Sequence, residues 1–263
     1  MKVIVFDANL CNGCYGCQMA CKDEHCGNDW SPIAAEQPMT GQFWCRVDQE
    51  THGKVPEVKV QYTPRFCDAD EELLRKAPEC VYKREDGIVI LDPEKAKGRK
   101  DLADEFEGVY WNEKLEIPQK CTMCAHLLDD GWKVPRCVDV CATGALRFGD
   151  KEDFGDELDN AFQFDPESHY YYLNMPKRWV YGVLVDREAN EVVIGAEVKL
   201  VDAEGTEVAT IATDEFGEFR FKGLDEKPYS VKAHVDGYED VALPADTTDE
   251  DVVLGDIFLK ATA

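Results

Sequence analysis

Twelve cysteines, none of them beyond Cys141, constrain this 263-residue chain more than any other feature. Eight fall into two runs, Cys11-x2-Cys14-x2-Cys17-x3-Cys21 and Cys121-x2-Cys124-x12-Cys137-x3-Cys141. A disulfide scaffold belongs to a small secreted chain and would spread its bridges over the whole fold. Cys-x2-Cys pairs confined to one region favour metal instead. A [4Fe–4S] cube needs a thiolate at each corner, and a tight loop with two intervening residues can present three. The fourth cysteine of such a run cannot curl back onto the same cube, and in two-cluster ferredoxins it ligates the other one. The spacing therefore predicts two [4Fe–4S] clusters. Cys11, Cys14, Cys17 and Cys141 would hold the first; Cys21, Cys121, Cys124 and Cys137 would hold the second.

Neighbouring residues agree in part. Gly13 and Gly16 allow the backbone to wrap closely with its amides free to face sulfur. Met19, Ala20, Val138 and Val140 are candidates to wall the cubes off from water. Cys21 is followed by Lys22 and Cys141 by Ala142, where the ferredoxin run has proline. The second run alone could also be read as a four-thiolate zinc site. The first run argues against that, because four cysteines within eleven residues crowd a single tetrahedral ion. Cys26, Cys45, Cys67 and Cys80 have no Cys-x2-Cys partner. Cys45 reads as a small buried hydrophobe in a strand-like stretch, and a third cluster on these four is the lesser alternative. His25 and His126 flank the runs and read as supporting or core residues rather than ligands. Tyr110, Trp111 and Trp132 read as packing. No nucleophile–base pattern, phosphate-cradling loop or distinctive carboxylate pair stands out, so no catalytic residue is expected.

The formal net charge is −25, and residues 180–263 carry 20 acidic against 7 basic side chains. Such a surface repels nucleic acid and anionic lipid. No window approaches the roughly 20 apolar residues a membrane span needs, so no direct membrane insertion is expected. Met1–Leu10 reads as a strand leading into the first motif, not as a signal peptide.

Residues 1–165 read as short strands, loops and helices around the cysteine runs. Residues 166–179, rich in aromatics (His169-Tyr170-Tyr171-Tyr172), read as an ordered connector. Residues 180–263 read as all-β. Seven strand candidates, Tyr181–Val185, Glu197–Val201, Glu207–Thr213, Glu218–Phe221, Tyr229–His234, Glu239–Leu243 and Val252–Leu259, are separated by turn signals such as Asp214-Glu215-Phe216-Gly217. The expected fold is thus an α+β ferredoxin-like [4Fe–4S] domain followed by a seven-stranded sandwich of transthyretin or immunoglobulin type.

The two runs, with Lys120–Cys124 and Cys141–Asp150, resemble the four-cluster ferredoxin-type subunit of molybdopterin oxidoreductases related to dimethyl sulfoxide reductase. That family carries two further cysteine runs in the segment that here spans Cys67 to Tyr110. Cys67 looks like a remnant of one, and Asp70 stands where its second cysteine would be. Residues 84–89, 92–98, 119–130 and 135–137, with Phe216–Phe219 in the sandwich, resemble the small subunits of the pyrogallol–phloroglucinol transhydroxylase and catechol dehydroxylase group. The resemblance implies a non-catalytic electron-transfer subunit bound to a large molybdopterin (Mo or W) catalytic subunit, as a heterodimer or higher assembly. It implies reductive catechol dehydroxylation, with electrons from a soluble or membrane donor. A transhydroxylase small subunit with non-turnover clusters and a free-standing ferredoxin carrying a structural sandwich are the alternatives. Cluster assembly points to the cytoplasm, and a partner with an export signal could carry the chain further.

Overall fold

The computed structural model of the protein describes residues 1–25, 44–55 and 57–262. Cys26 lies outside them, as does the start of the strand-like stretch around Cys45. The chain divides into two units, residues 1–49 with 61–175, and residues 50–60 with 176–263.

The first unit opens with β1 (Lys2–Asp7), in which Val3, Ile4, Val5 and Phe6 are all buried. A strand apolar on consecutive positions needs cover on both faces. After the first cysteine loop come α1 (Gly16–His25) and the hairpin of β2 (Arg46–Lys54) and β3 (Glu57–Arg65). Next are α2 (Asp70–Lys76), the hairpin of β4 (Val81–Lys83) and β5 (Val89–Leu91), α3 (Lys100–Glu105), and the hairpin of β6 (Tyr110–Asn112) and β7 (Ile117–Gln119). Short helices α4 (Ala125–Asp129) and α5 (Arg136–Asp139) carry the second run. β8 (Leu146–Asp150), α6 (Lys151–Phe154) and β9 (Tyr170–Leu173) complete the unit.

β1 is the central strand of a three-stranded sheet, antiparallel to β8 and parallel to β9. Its Ile4 and Phe6 join Tyr170 and Tyr172 in a core that also contains cysteine side chains. Val3 and Val5 join Tyr171 and Leu173 in a smaller core on the other face. The aromatic connector is therefore a strand of the first unit, and the division between units falls after Met175 rather than near residue 165. The charged stretch ahead of α3 is not helical, because Asp92 Oδ1 accepts from the amides of Glu94 and Lys95 and holds it as a turn.

In the second unit, β10 (Arg178–Asp186) pairs with β11 (Glu191–Val192), β14 (Glu218–Leu224) and, in parallel, β17 (Val252–Leu259). The other sheet runs β13 (Glu207–Ala212), β12 (Glu197–Asp202), β15 (Pro228–Ala233), β16 (Val241–Asp246). Alternation drives the packing: Val198 and Leu200 of β12 meet Val231 and Ala233 of β15 and Phe219 and Phe221 of β14 in one apolar core. The turn before β14 depends on Gly217, at φ +69°, where a Cβ would stand 2.9 Å from the Leu184 carbonyl oxygen. Asp214 Oδ1 closes that turn by accepting from the amides of Phe216 and Glu218 at 2.9 Å each.

The tip of the β2–β3 hairpin belongs to this second unit, which the sequence did not disclose. Asp251 gathers it: its carboxylate accepts from the Gly53 amide at 3.1 Å and the Trp179 amide at 3.0 Å, and lies 3.3 Å from His52 Nδ1. Among the described residues no helix is long and apolar enough to cross a membrane.

Candidate metal centres

The two cysteine loops share an unusual backbone. Gly13 and Tyr15 in the first, and Met123 and Cys124 in the second, have φ between +49° and +69°. Left-handed non-glycine residues are costly and cluster where a loop must turn its amides toward a ligand. Here the amides do turn toward sulfur. Met123 N donates to Cys121 Sγ at 3.4 Å, and Leu146 N donates to Cys141 Sγ at 3.3 Å. Backbone amides also reach Cys11, Cys17 and Cys124. Gly13 has a second constraint: a Cβ there would lie 2.3 Å from the Tyr62 ring.

The thiols gather in two sets, each mixing the two runs. Cys11 has Cys17, Cys141 and Cys14 as its charge neighbours, and one cavity is walled by all four together with Phe6, Pro64 and Leu146. Cys21 has Cys121, Cys137 and Cys124 as its charge neighbours. Burial differs between the sets. Cys14 is exposed and Cys11, Cys17 and Cys141 are half-buried, whereas Cys21, Cys121, Cys124 and Cys137 are all buried.

The surroundings of Cys11 and of three thiols of the second set suit a cationic iron core. Burial, then the neighbouring sulfurs, pushes the Cys11 and Cys21 thiols up. Burial, followed by Cys137, pushes Cys121 up to about 11, and burial raises Cys124 further. Four clustered thiolates repel one another and shun a dry site, and cationic iron offsets both costs. Among the described residues no three His, Cys, Asp or Glu side chains are arranged to hold a single metal ion. A tetrahedral zinc with bonds near 2.3 Å would draw its sulfurs within about 4 Å of one another.

Other expected residues fall into place unevenly. His25 Nε2 lies 3.4 Å from Cys124 Sγ, and its ring stacks on Trp44 at 4.0 Å. Burial, then the charge of His126, holds His25 down at about 3, so it is neutral at physiological pH. His126 turns instead to Glu24, at 2.9 Å. Met19 is 52% exposed and walls nothing off; Ala20 is buried and Val138 packs on the thiol core. Trp132 is exposed, with the Arg136 guanidinium 5.8 Å from its ring centroid.

Three features went unseen in the sequence. Cys45 is fully buried with its thiol beside both Cys137 of one set and Cys17 of the other, so it is more than a small hydrophobe. Lys120 is fully buried; its Nζ sits 2.8 Å from Asp70 Oδ1 and donates to the carbonyls of Val89 and Cys121 at 2.9 Å each. Two of the ammonium protons thus have carbonyl acceptors, and the Asp70 carboxylate balances the charge without a hydrogen bond at Oδ1. Tyr170 is 1% exposed beside Cys121.

The chain matches the 4Fe–4S dicluster domain family over residues 58–151 and the carboxypeptidase regulatory-like domain family over residues 180–257. It is 37% identical to the pyrogallol hydroxytransferase small subunit of Pelobacter acidigallici, over 98% of each chain. The chain belongs to the iron–sulfur small subunits of the molybdopterin oxidoreductases. Within this family it is also 29% identical to a sulfite dehydrogenase subunit of Allochromatium vinosum, covering 61% of this chain and 73% of that one. Its identity to a tetrathionate reductase subunit of Salmonella typhimurium is 28%, covering 57% and 58%.

In this iron–sulfur subunit the segment from Cys67 to Tyr110 lies within the matched residues 58–151. Cys67 and Cys80 are buried there among Leu73, Val81, Leu91, Leu102 and Phe106, in a core separate from the one that holds Cys45. Burial pushes the Cys67 thiol up to about 12. Of the three leftover thiols among the described residues, Cys67 and Cys80 share this core and Cys45 lies in the other.

Proposed function

We propose that the two sets of thiols each hold a [4Fe–4S] cluster, and that this subunit passes electrons to a molybdopterin catalytic subunit acting on phenolic aromatics. Each cluster would supply one-electron storage at a potential set by its surroundings. The chain's own residues then do three things. The eight cysteines fix the clusters, the left-handed loops aim amides at sulfur, and the shared thiol core, with Cys45 between the sets, holds the two sites in one rigid body. The observation that carries this reading is the exchange of the fourth cysteine: Cys141 stands with the first run and Cys21 with the second. The partner is a large catalytic subunit, as the family implies, and the assembly is cytoplasmic unless that partner carries it out.

The reaction we favour is reductive removal of a ring hydroxyl from a catechol: two electrons and two protons replace the hydroxyl by hydrogen and release water. Two one-electron sites suit that demand. The likeness to a pyrogallol hydroxytransferase small subunit favours a second reading, hydroxyl transfer with no net electron use. The test is to reduce the purified complex, add a catechol or pyrogallol, and follow cluster absorbance. Reoxidation in step with loss of a ring hydroxyl supports the first reading; turnover without reoxidation supports the second. The absence of any molybdopterin partner removes both.

A further inference from the structure

The second set of thiols has a side-chain neighbour whose polar group has no other use. Tyr170 is 1% exposed, and among the described residues its hydroxyl has no hydrogen-bond partner. Its position is fixed on every side. β9 runs parallel to β1 with Tyr170 opposite Ile4, and the Tyr170 amide donates to Ser168 Oγ at 3.1 Å. The ring stacks on Phe66, centroids 4.5 Å apart and planes 7° from parallel. Tyr170 and Cys121 share one core, and among the ionisable groups around the hydroxyl Cys121 comes first, ahead of Asp70 and Cys67. Buried hydroxyls without a partner are rare and call for a ligand or a bound group to explain them.

We propose that Tyr170 is a positioning residue for electron transfer, whose hydroxyl donates a hydrogen bond to sulfur at Cys121 and raises the reduction potential of the second site alone. This rests on the cluster reading above. Reduction adds negative charge that spreads onto the sulfurs, and a donor aimed at sulfur stabilises the reduced form more than the oxidised one. The effect is strong because the site is dry: all four thiols of this set are buried. Lys120 works in the same direction from the other side, since its ammonium is bonded to the Cys121 carbonyl at 2.9 Å. Among the described residues the first set has no buried hydroxyl in that role; its buried neighbour is the Cys45 thiol beside Cys17, a weaker donor. The hydroxyl of Thr143, 3.8 Å from Cys141 Sγ, is on an exposed residue.

The neighbouring strand position supplies a control. Tyr172 faces the same core and its hydroxyl is also without a partner, but its charge neighbours are Asp68, Arg65 and Cys45 rather than any of the eight thiols.

The experiment is a redox titration of the anaerobically purified complex, read by electron paramagnetic resonance, for the wild type, Tyr170→Phe and Tyr172→Phe. The expected result is full iron content in all three, with Tyr170→Phe lowering the midpoint of one cluster. At fixed potential its oxidised-to-reduced ratio should rise by up to about tenfold, near 59 mV for one electron. The other cluster and both clusters of Tyr172→Phe should not move. Unchanged midpoints in Tyr170→Phe, equal shifts of both clusters, or the same shift in Tyr172→Phe would overturn the proposal. If Tyr170→Phe does not assemble, 3-fluorotyrosine placed at position 170 takes its place. A more acidic phenol donates more strongly, so one midpoint should rise, and no change would overturn the idea. A wild type with neither iron nor sulfide would instead sink the cluster reading, and this inference with it.

Discussion

Two cores of the first unit are built from the same stretch of chemistry and end differently. One gathers Cys11, Cys17, Cys21, Cys45, Cys121, Cys137 and Cys141 around Ile4, Phe6 and two tyrosines. The other, over residues 67–109, keeps two thiols but fills its interior with leucine, valine and phenylalanine. Where the family resemblance places a second cysteine of the missing run, Asp70 forms a buried ion pair with Lys120. A thiol core has little hydrocarbon of its own and depends on what the sulfurs bind. A hydrocarbon core closes by itself, at the cost of keeping one charged pair buried.

The sharpest break in that comparison is removal of iron. Ligand binding at such sites is folding free energy, so chelation under reducing conditions should abolish the cooperative melt of the thiol core. The sandwich, whose core contains no cysteine, should keep its own transition in the same calorimetric scan. An apo chain that retains both transitions would show that the thiol core does not depend on metal.

A narrower break removes one corner. Cys21→Ser should lower the iron content from about eight toward four per chain or convert one cluster to a three-iron form. The affected cluster should be the one on Cys121, Cys124 and Cys137, the residues that surround Cys21. Selective damage to the site on Cys11, Cys14 and Cys17, with the other intact by Mössbauer spectroscopy, would refute the exchange of fourth ligands.

The hydrocarbon core is broken through its ion pair. Lys120→Met leaves Asp70 buried and unpaired, and losses of about 3–5 kcal/mol are typical of such changes. Replacing both partners, Lys120→Met with Asp70→Leu, should recover most of that loss, because a well-packed apolar pair can substitute for buried charge. Denaturant titration checks both. A double variant as unstable as the single one would mean that the ammonium serves something besides Asp70, the Cys121 carbonyl being the first suspect.

Legibility in the sequence followed the same division. The eight thiols were readable because iron chemistry fixes their spacing along the chain. β10 and β12 were readable because alternation is a local signal. Cys45 was not, since a lone cysteine between two runs has no spacing to mark it. Lys120 and Asp70 are fifty positions apart, and nothing local tells a buried lysine from a solvated one. The left-handed Tyr15, Met123 and Cys124 carry no compositional sign, because loops normally spend glycine on such angles. The hairpin tip looked like part of the first domain because its allegiance is decided by Asp251, some two hundred residues away.

The smallest expected effect is the response of the sandwich to acid. Several of its turns are closed by carboxylates held below their usual range. The Tyr238 hydroxyl, then the amides of Ala189 and Glu188, lower Asp186, and the Thr248 side chain and amide lower Asp246. Asp214 is also lowered: its partial burial acts the other way and is outweighed by the amides of Glu218 and Phe216. A carboxylate depressed in the fold binds its proton more readily in the unfolded chain. Its contribution is therefore complete above the unfolded value, near 3.9, and drains away as the pH falls through the lower folded values. The melting temperature of the sandwich transition in the iron-free chain should hold steady from neutral pH to about 5 and fall below about 4. These groups are exposed or only partly buried, so the slope should be shallow and should flatten further in salt. Asp214→Asn tests the assignment at one turn. It keeps an oxygen that can accept the amide of Phe216 while removing the titrating charge, so the variant should melt lower at neutral pH and converge on the wild type in acid. A variant whose curve stays parallel to the wild type at every pH would place the acid sensitivity elsewhere among the sandwich's carboxylates.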